Sequence, residues 1–154
     1  MPSSLRAVIL LAGTNNLEAN SPLAVCAGLQ TLIEKIQAER PGLLVGVLAV
    51  LPREPGPFAC GLSETELMTR VNTLNRGLQS LAAQIPRVVY EDASCWHELC
   101  DSSSSRKGLM NKQFFADYVH LNRRGYRVLA DAILRLIQRL RGMSRAEVGA
   151  QKSH

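Results

Sequence analysis

Arg6-Ala7-Val8-Ile9-Leu10-Leu11-Ala12-Gly13-Thr14-Asn15-Asn16 carries an apolar run straight into a glycine and a polar turn. The run has no polar alternation, so it reads as a strand buried on both faces, the kind found in parallel sheets covered by helices. Downstream, Ser21-Pro22 supplies an N-cap and a first-turn proline, opening a helix that should reach about Arg40 and stop before Pro41-Gly42. A second continuous apolar run, Leu43 to Val50, predicts another buried strand. The stretch Leu51 to Leu62 holds three prolines and two glycines and reads as a loop. Ser63-Glu64-Thr65-Glu66 is a capping box that starts a second helix, ended near Gln84 by Pro86. Arg87 to Glu91 predicts a short third strand, and Asp92 to Leu121 a long irregular segment. Asn122 caps a last helix whose spacing puts Tyr126, Leu129, Ala130, Ile133, Ile137 and Leu140 on one buried face.

This alternation of strands and helices predicts an α/β fold, a three-layer parallel sheet with right-handed crossovers and flanking helices. Ligands of such sheets sit beyond the carboxyl ends of the strands, where Gly13 to Asn16 lies. At 154 residues the chain is long enough for one core; residues 1–141 are expected to form the domain and 142–154 a basic, frayed tail. No apolar run approaches the ~18–20 residues that span a bilayer, and no signal peptide is evident, so a cytoplasmic location is expected.

The net charge of +5 is concentrated late, at Arg123, Arg124, Arg127, Arg135, Arg139, Arg141, Arg145 and Lys152. Without aromatic interleaving this reads as the solvated face of a helix, and nucleic acid is a disfavoured partner. Cys26, Cys60, Cys95 and Cys100 show no disulfide framework and read as thiols. Cys95, His97 and Cys100 have no second pair to close a tetrahedral zinc site, so no metal and no cofactor is expected.

The chemistry lies in Asp117-Tyr118-Val119-His120. A carboxylate three residues before an imidazole can fix the ring tautomer and stabilise the imidazolium of a general base. Asn15 can donate an amide N–H to a developing oxyanion, though asparagine also favours such a turn for conformational reasons. His120 alone would read as a polar residue beside the last helix. Phe114 and Phe115 suit either an acyl pocket or the packing of the long loop, and His97 reads as a loop histidine.

Together these residues resemble the SGNH (GDSL-type) hydrolase superfamily, in the branch of intracellular platelet-activating-factor acetylhydrolase catalytic subunits. Gly13-Thr14-Asn15-Asn16 is similar to the third block of that family, Gly-x-Asn-Asp/Asn, and Asp117-Tyr118-Val119-His120 to the fifth, Asp-x-x-His. The likeness continues through Leu121-Asn122, Gly125-Tyr126 and the Leu51-Pro52-Arg53 turn, covering about residues 6–141. It implies hydrolysis of small acyl esters through a serine ester. His120 would be base then acid, Asp117 its orienting partner, and Gly13 and Asn15 the oxyanion and binding residues.

One departure is large. The first family block, Gly-Asp-Ser, carries the nucleophile tens of residues before the third, and here only twelve residues precede Gly13. The chain is therefore expected to match the C-terminal part of such a hydrolase, without its first strands and serine, and to be inactive alone. Ser3 and Ser4 sit before the first strand, roughly 25 Å from the far end at ~3.3 Å per residue. Ser21, Ser94 and Cys95 lie nearer but read as a helix cap, loop polarity and a small buried thiol. In the family's strand order 2-1-3-4-5, residues 6–12 would present an open edge, inviting a homodimer or a partner strand. The rival readings are a non-catalytic binding or assembly module and, less favoured, a basic nucleic-acid binder.

Overall fold

The computed structural model describes residues 5–57, 61–91 and 93–151, with side chains except at 93–95 and 145–151. Three strands, β1 (Ala7–Leu10), β2 (Leu44–Leu48) and β3 (Val88–Glu91), form a parallel sheet in the order β1-β2-β3. Helix α1 (Pro22–Glu39) connects β1 to β2, and α2 (Glu64–Gln84) connects β2 to β3. A short helix α3 (Ala93–Leu99) and the long α4 (Arg123–Gln151) follow. This is the α/β class read from the sequence.

The middle strand explains the layers. Every residue of β2 is buried, because it has a strand on each side and helices on both faces. Val45 and Val47 join a core with Val25, Leu29 and Ile33 of α1 and Val71, Leu74 and Leu78 of α2. Leu44 and Leu48 point the other way, into a core with Leu129, Ala132, Leu136 and Leu140 of α4. The alternation of side chains across a strand assigns each face its helices.

Gly46 occupies the α4-facing position between Leu44 and Leu48. A Cβ there would stand 2.8 Å from Leu136 Cδ2, and Leu136 is itself fully buried. Gly46→Ala is expected to cost about 1–3 kcal/mol by overpacking. Thermal melts of the variant check this, and an unchanged melting temperature would contradict the packing described.

The caps behave as written in the chain. Ser21 Oγ accepts from Ala24 N at 3.2 Å with Pro22 in the first turn. The capping box is complete, with Glu66 N donating to Ser63 Oγ and Ser63 N donating to Glu66 Oε2. Asn122 Oδ1 accepts from Arg124 N at 2.8 Å and Gly125 N at 3.2 Å, which caps α4.

Several expectations need correction. Residues 6–12 were expected to form a strand buried on both faces, but β1 covers only Ala7–Leu10 and all four residues are half-buried. The reason is its place at the sheet's edge, with β2 as its one strand neighbour among the described residues. The segment 92–121 is not wholly irregular: it contains α3, a 3-10 turn at Lys112–Phe114 and an antiparallel bridge between Cys100 and Met110. Helix α4 continues past Gly142 to Gln151.

Its buried stripe also differs from the expected one. The inward positions are Gly125, Leu129, Ala132, Leu136 and Leu140, whereas Tyr126 is 56% exposed and Ala130 faces solvent. Gly125 sets this phase, since a Cβ there would lie 2.2 Å from the Phe114 carbonyl oxygen. No described helix is long and apolar enough to cross a membrane.

Candidate functional site

The segment from Phe115 to Leu121 closes on itself. Phe115 and Leu121 form an antiparallel bridge, and Ala116 N donates to His120 O at 2.8 Å. Asn122 pins the base of this loop by donating from Nδ2 to Gln113 O at 2.8 Å. Inside it, Asp117 Oδ1 accepts from Val119 N at 2.8 Å and His120 N at 2.7 Å, while Oδ2 lies 2.8 Å from His120 Nδ1. A carboxylate only accepts, so Nδ1 carries a proton, and in the neutral ring Nε2 is left with its lone pair. That is the tautomer a general base requires.

The same contacts tune the acid. The backbone N–H groups of His120 and Val119, then the His120 ring, hold the Asp117 carboxyl down to about 2. A depressed carboxyl pKa contributes stability above its unfolded value, and that contribution disappears as pH falls through the folded value. The Asp117 carboxyl carbon is therefore expected to titrate with a midpoint of about 2 by ¹³C NMR. The Nδ1 proton contact should be lost in the same range. A midpoint at the ordinary carboxylate value would show that these contacts do not persist in solution.

His120 lines a cavity of about 230 Å³, and Asn15 lines the same cavity. The two motifs, more than a hundred residues apart in sequence, thus meet beyond the carboxyl ends of the strands. Leu11, Leu51, Pro52, Val119 and Tyr126 supply apolar walls. Thr14 also lines it; neither a serine nor a cysteine does among the described residues.

Gly13 has another place. Its φ of +103° makes the turn after β1, and a Cβ there would come 3.0 Å from Val25 Cγ1 and 3.3 Å from Leu74 Cδ2. It shapes the Asn15 loop without lining the cavity. Of the alternative nucleophiles, Ser21 serves as the α1 cap. Ser94 and Cys95 ride on α3 with side chains outside the described residues, as Ser3, Ser4 and Cys60 are entirely. Phe115 is buried in the α4-side core and Phe114 packs against that core, so neither walls the cavity. His97 is exposed on α3. Cys26 and Cys100 form no disulfide, and burial pushes the Cys26 thiol up. Among the described residues no group of three or more His, Cys, Asp or Glu is arranged to hold a metal ion.

Sequence reading left out the residues that hold this site together. Arg53, 1% exposed, donates from Nη1 to Thr14 O at 2.9 Å and to Asn15 Oδ1 at 3.4 Å, and from Nη2 to the Glu18 carboxylate. Glu18 Oε1 also accepts from Gly56 N at 3.0 Å, and Glu54 N donates to Tyr118 O at 2.9 Å. A Cβ on Gly56 would meet Tyr118 Cε2 at 2.7 Å, so the Arg53 loop packs directly on the Asp117–His120 loop. Asn75 of α2 fixes the exit of β2 by exchanging two hydrogen bonds with Val50, at 2.8 and 3.0 Å. The one local signal for any of this is the Leu51-Pro52-Arg53 turn itself.

Comparison with known proteins bears on the family and the fold. Residues 2–128 match the model of the GDSL-like lipase/acylhydrolase family. The chain is 30% identical over 145 residues to platelet-activating factor acetylhydrolase IB subunit alpha1 of Bos taurus, covering 93% of this chain and 56% of that protein. Two solved structures share the fold. One, from Streptococcus pneumonia and described provisionally as a platelet activating factor, has a TM-score of 0.68 at 20% identity, covering 90% of this chain and 61% of that one. The other, from Bacteroides fragilis and described provisionally as an acylhydrolase, has a TM-score of 0.70 at 19% identity, covering 87% and 62%.

Proposed function

This chain belongs to the GDSL-like lipase/acylhydrolase family, and from that premise we propose that it carries the base and oxyanion half of an acyl-ester hydrolase site. The observation that carries the reading is the opening of His120, held by Asp117 at 2.8 Å, onto the same cavity as Asn15. His120 Nε2 takes a serine proton as the serine oxygen bonds the acyl carbon and the carbonyl electron pair moves onto oxygen. Asn15 donates to that oxygen. The alcohol leaves with the proton, and water repeats the sequence to release the carboxylic acid. The cavity suits a short acyl ester such as an acetyl ester, and the chemistry asks for no metal or organic cofactor.

This reading has the serine supplied from elsewhere, which the lining of the cavity supports, since it includes neither a serine nor a cysteine among the described residues. The half-buried β1, with Ala7, Val8, Ile9 and Leu10 each partly exposed, supports a further strand pairing at that edge. A groove bounded by Ile9, Leu44, Ile137 and Leu140 runs beside it. The domain of this reading is residues 1–141, with α4 carrying on past that boundary to Gln151 in the basic segment 142–154.

Fluorophosphonate labelling of the folded chain, read by intact mass and peptide mapping, tests the missing-nucleophile part. No serine adduct is expected. A single adduct on Ser21, Ser94 or another serine of this chain that disappears in His120→Ala would overturn it and identify the nucleophile.

A further inference from the structure

Resting on the hydrolase reading, we infer that Arg53 is a positioning residue, which sets the rotamer and amide orientation of Asn15 so that Nδ2 is the atom offered to the acyl oxygen. An asparagine amide has an oxygen and a nitrogen of nearly equal size, and its orientation is decided by its neighbours. Arginine has five donors and no acceptor. The atom of Asn15 that faces Arg53 Nη1 must therefore be Oδ1, as found at 3.4 Å. The NH₂ group is left for the cavity that Asn15 shares with His120.

Arg53 can act this way because it is itself held on every side. Nη2 is bound by the Glu18 carboxylate, Nε lies 3.4 Å from Glu54 O, and Nη1 also reaches Thr14 O at 2.9 Å and Thr14 Oγ1 at 3.5 Å. Its backbone N approaches Met68 Sδ at 3.5 Å. A planar, charged, fully buried fork with these partners has one orientation, unlike the flexible point charge of a lysine. The next residue, Glu54, donates its N–H to Tyr118 O inside the Asp117–His120 loop. The Arg53 turn thus touches the loops of both Asn15 and His120 and sets the distance between donor and base.

The readout is the Asn15 side-chain amide in ¹H–¹⁵N spectra of the full chain, assigned with Asn15→Asp. In the native protein its two protons should be well separated and the group as ordered as the backbone. Arg53→Lys should lose that order, while the His120 Nδ1 proton signal persists as a report on the intact Asp117–His120 loop. Arg53→Met with Glu18→Leu removes both buried charges together, which proteins tolerate better than removing one. This folded double variant should show the same loss at Asn15.

An Asn15 amide unchanged in either folded variant would overturn the inference and leave Arg53 as a stabilising residue only. With a nucleophile supplied, Arg53→Lys should lower kcat by up to about 10²–10³-fold, the effect of losing one oxyanion donor, with KM little changed. The spectroscopic arm needs no turnover. Failure of the hydrolase reading therefore appears in the labelling experiment, and failure of the positioning role in the spectra.

Discussion

Ester turnover by this chain on its own is expected to be no faster than by its His120→Ala variant. The reasoning is one of magnitude. In a serine hydrolase that works as a unit, removing the nucleophile or its base alone costs about 10⁶ in kcat. Asn15 and the cavity walls can contribute only the residual that binding and an oxyanion donor leave behind. The ordering should change once a serine is supplied. In that complete form His120→Ala is expected to cost about 10⁶ in kcat. Asp117→Asn keeps the geometry but can impose the wrong tautomer, and should cost about 10⁴. Hydrolysis of p-nitrophenyl acetate by each variant, alone and complemented, provides the check. A His120-dependent rate from the lone chain would show that one of its own residues acts as nucleophile.

The second large effect is on folding. Glu18→Ala leaves the Arg53 guanidinium buried at 1% exposure with carbonyl and amide oxygens but no counter-charge. Glu18 itself is 14% exposed, so solvent screens the pair little. Removing one partner of a buried pair costs about 3–5 kcal/mol, far more than the pair contributes over an apolar replacement. For a domain of this size that is a fall of about 10 °C in Tm. Gly56 N also loses its acceptor at 3.0 Å. The double change Glu18→Leu with Arg53→Met should recover much of the loss, and a double variant as unstable as Glu18→Ala would contradict the buried-charge explanation.

These two effects differ in how far they could be seen in the chain beforehand. The Asp117–His120 pair is legible because its chemistry is local: three residues of spacing bring the carboxylate to the ring and to two backbone N–H groups. Helices α1 and α2 are legible for the same reason, since Ser21-Pro22 and Ser63 with Glu66 write their starts in adjacent positions. The continuous apolar run of β2 marks the middle of the sheet. The Arg53–Glu18 pair spans 35 residues, and no local pattern joins its halves. The exposure of β1 is a property of the sheet and not of the strand: its own residues read as buried on both faces, and the open edge follows only from the strand order that the family resemblance implies.

Tyr126 is instructive in another way. Its spacing from Leu129 and Ile133 fits a buried stripe, yet the helix is turned so that Gly125 faces the Phe114 carbonyl and Tyr126 walls the cavity. Close backbone contact at a glycine, which hydrophobic periodicity does not register, decides the phase. Helix α3 is not legible in the chain because its seven residues have too few turns to show a period.

The most direct test supplies the serine. A separately made strand–turn segment bearing the Gly-Asp-Ser block is mixed with the folded chain, its docking followed by native mass spectrometry, and the complex treated with a fluorophosphonate. The expected result is one adduct, on the serine of the docked segment, present with the native chain and lost with His120→Ala. A docked segment whose serine stays unlabelled, or is labelled equally with His120→Ala, would contradict the assignment of His120, Asp117 and Asn15 to an acyl-transfer site.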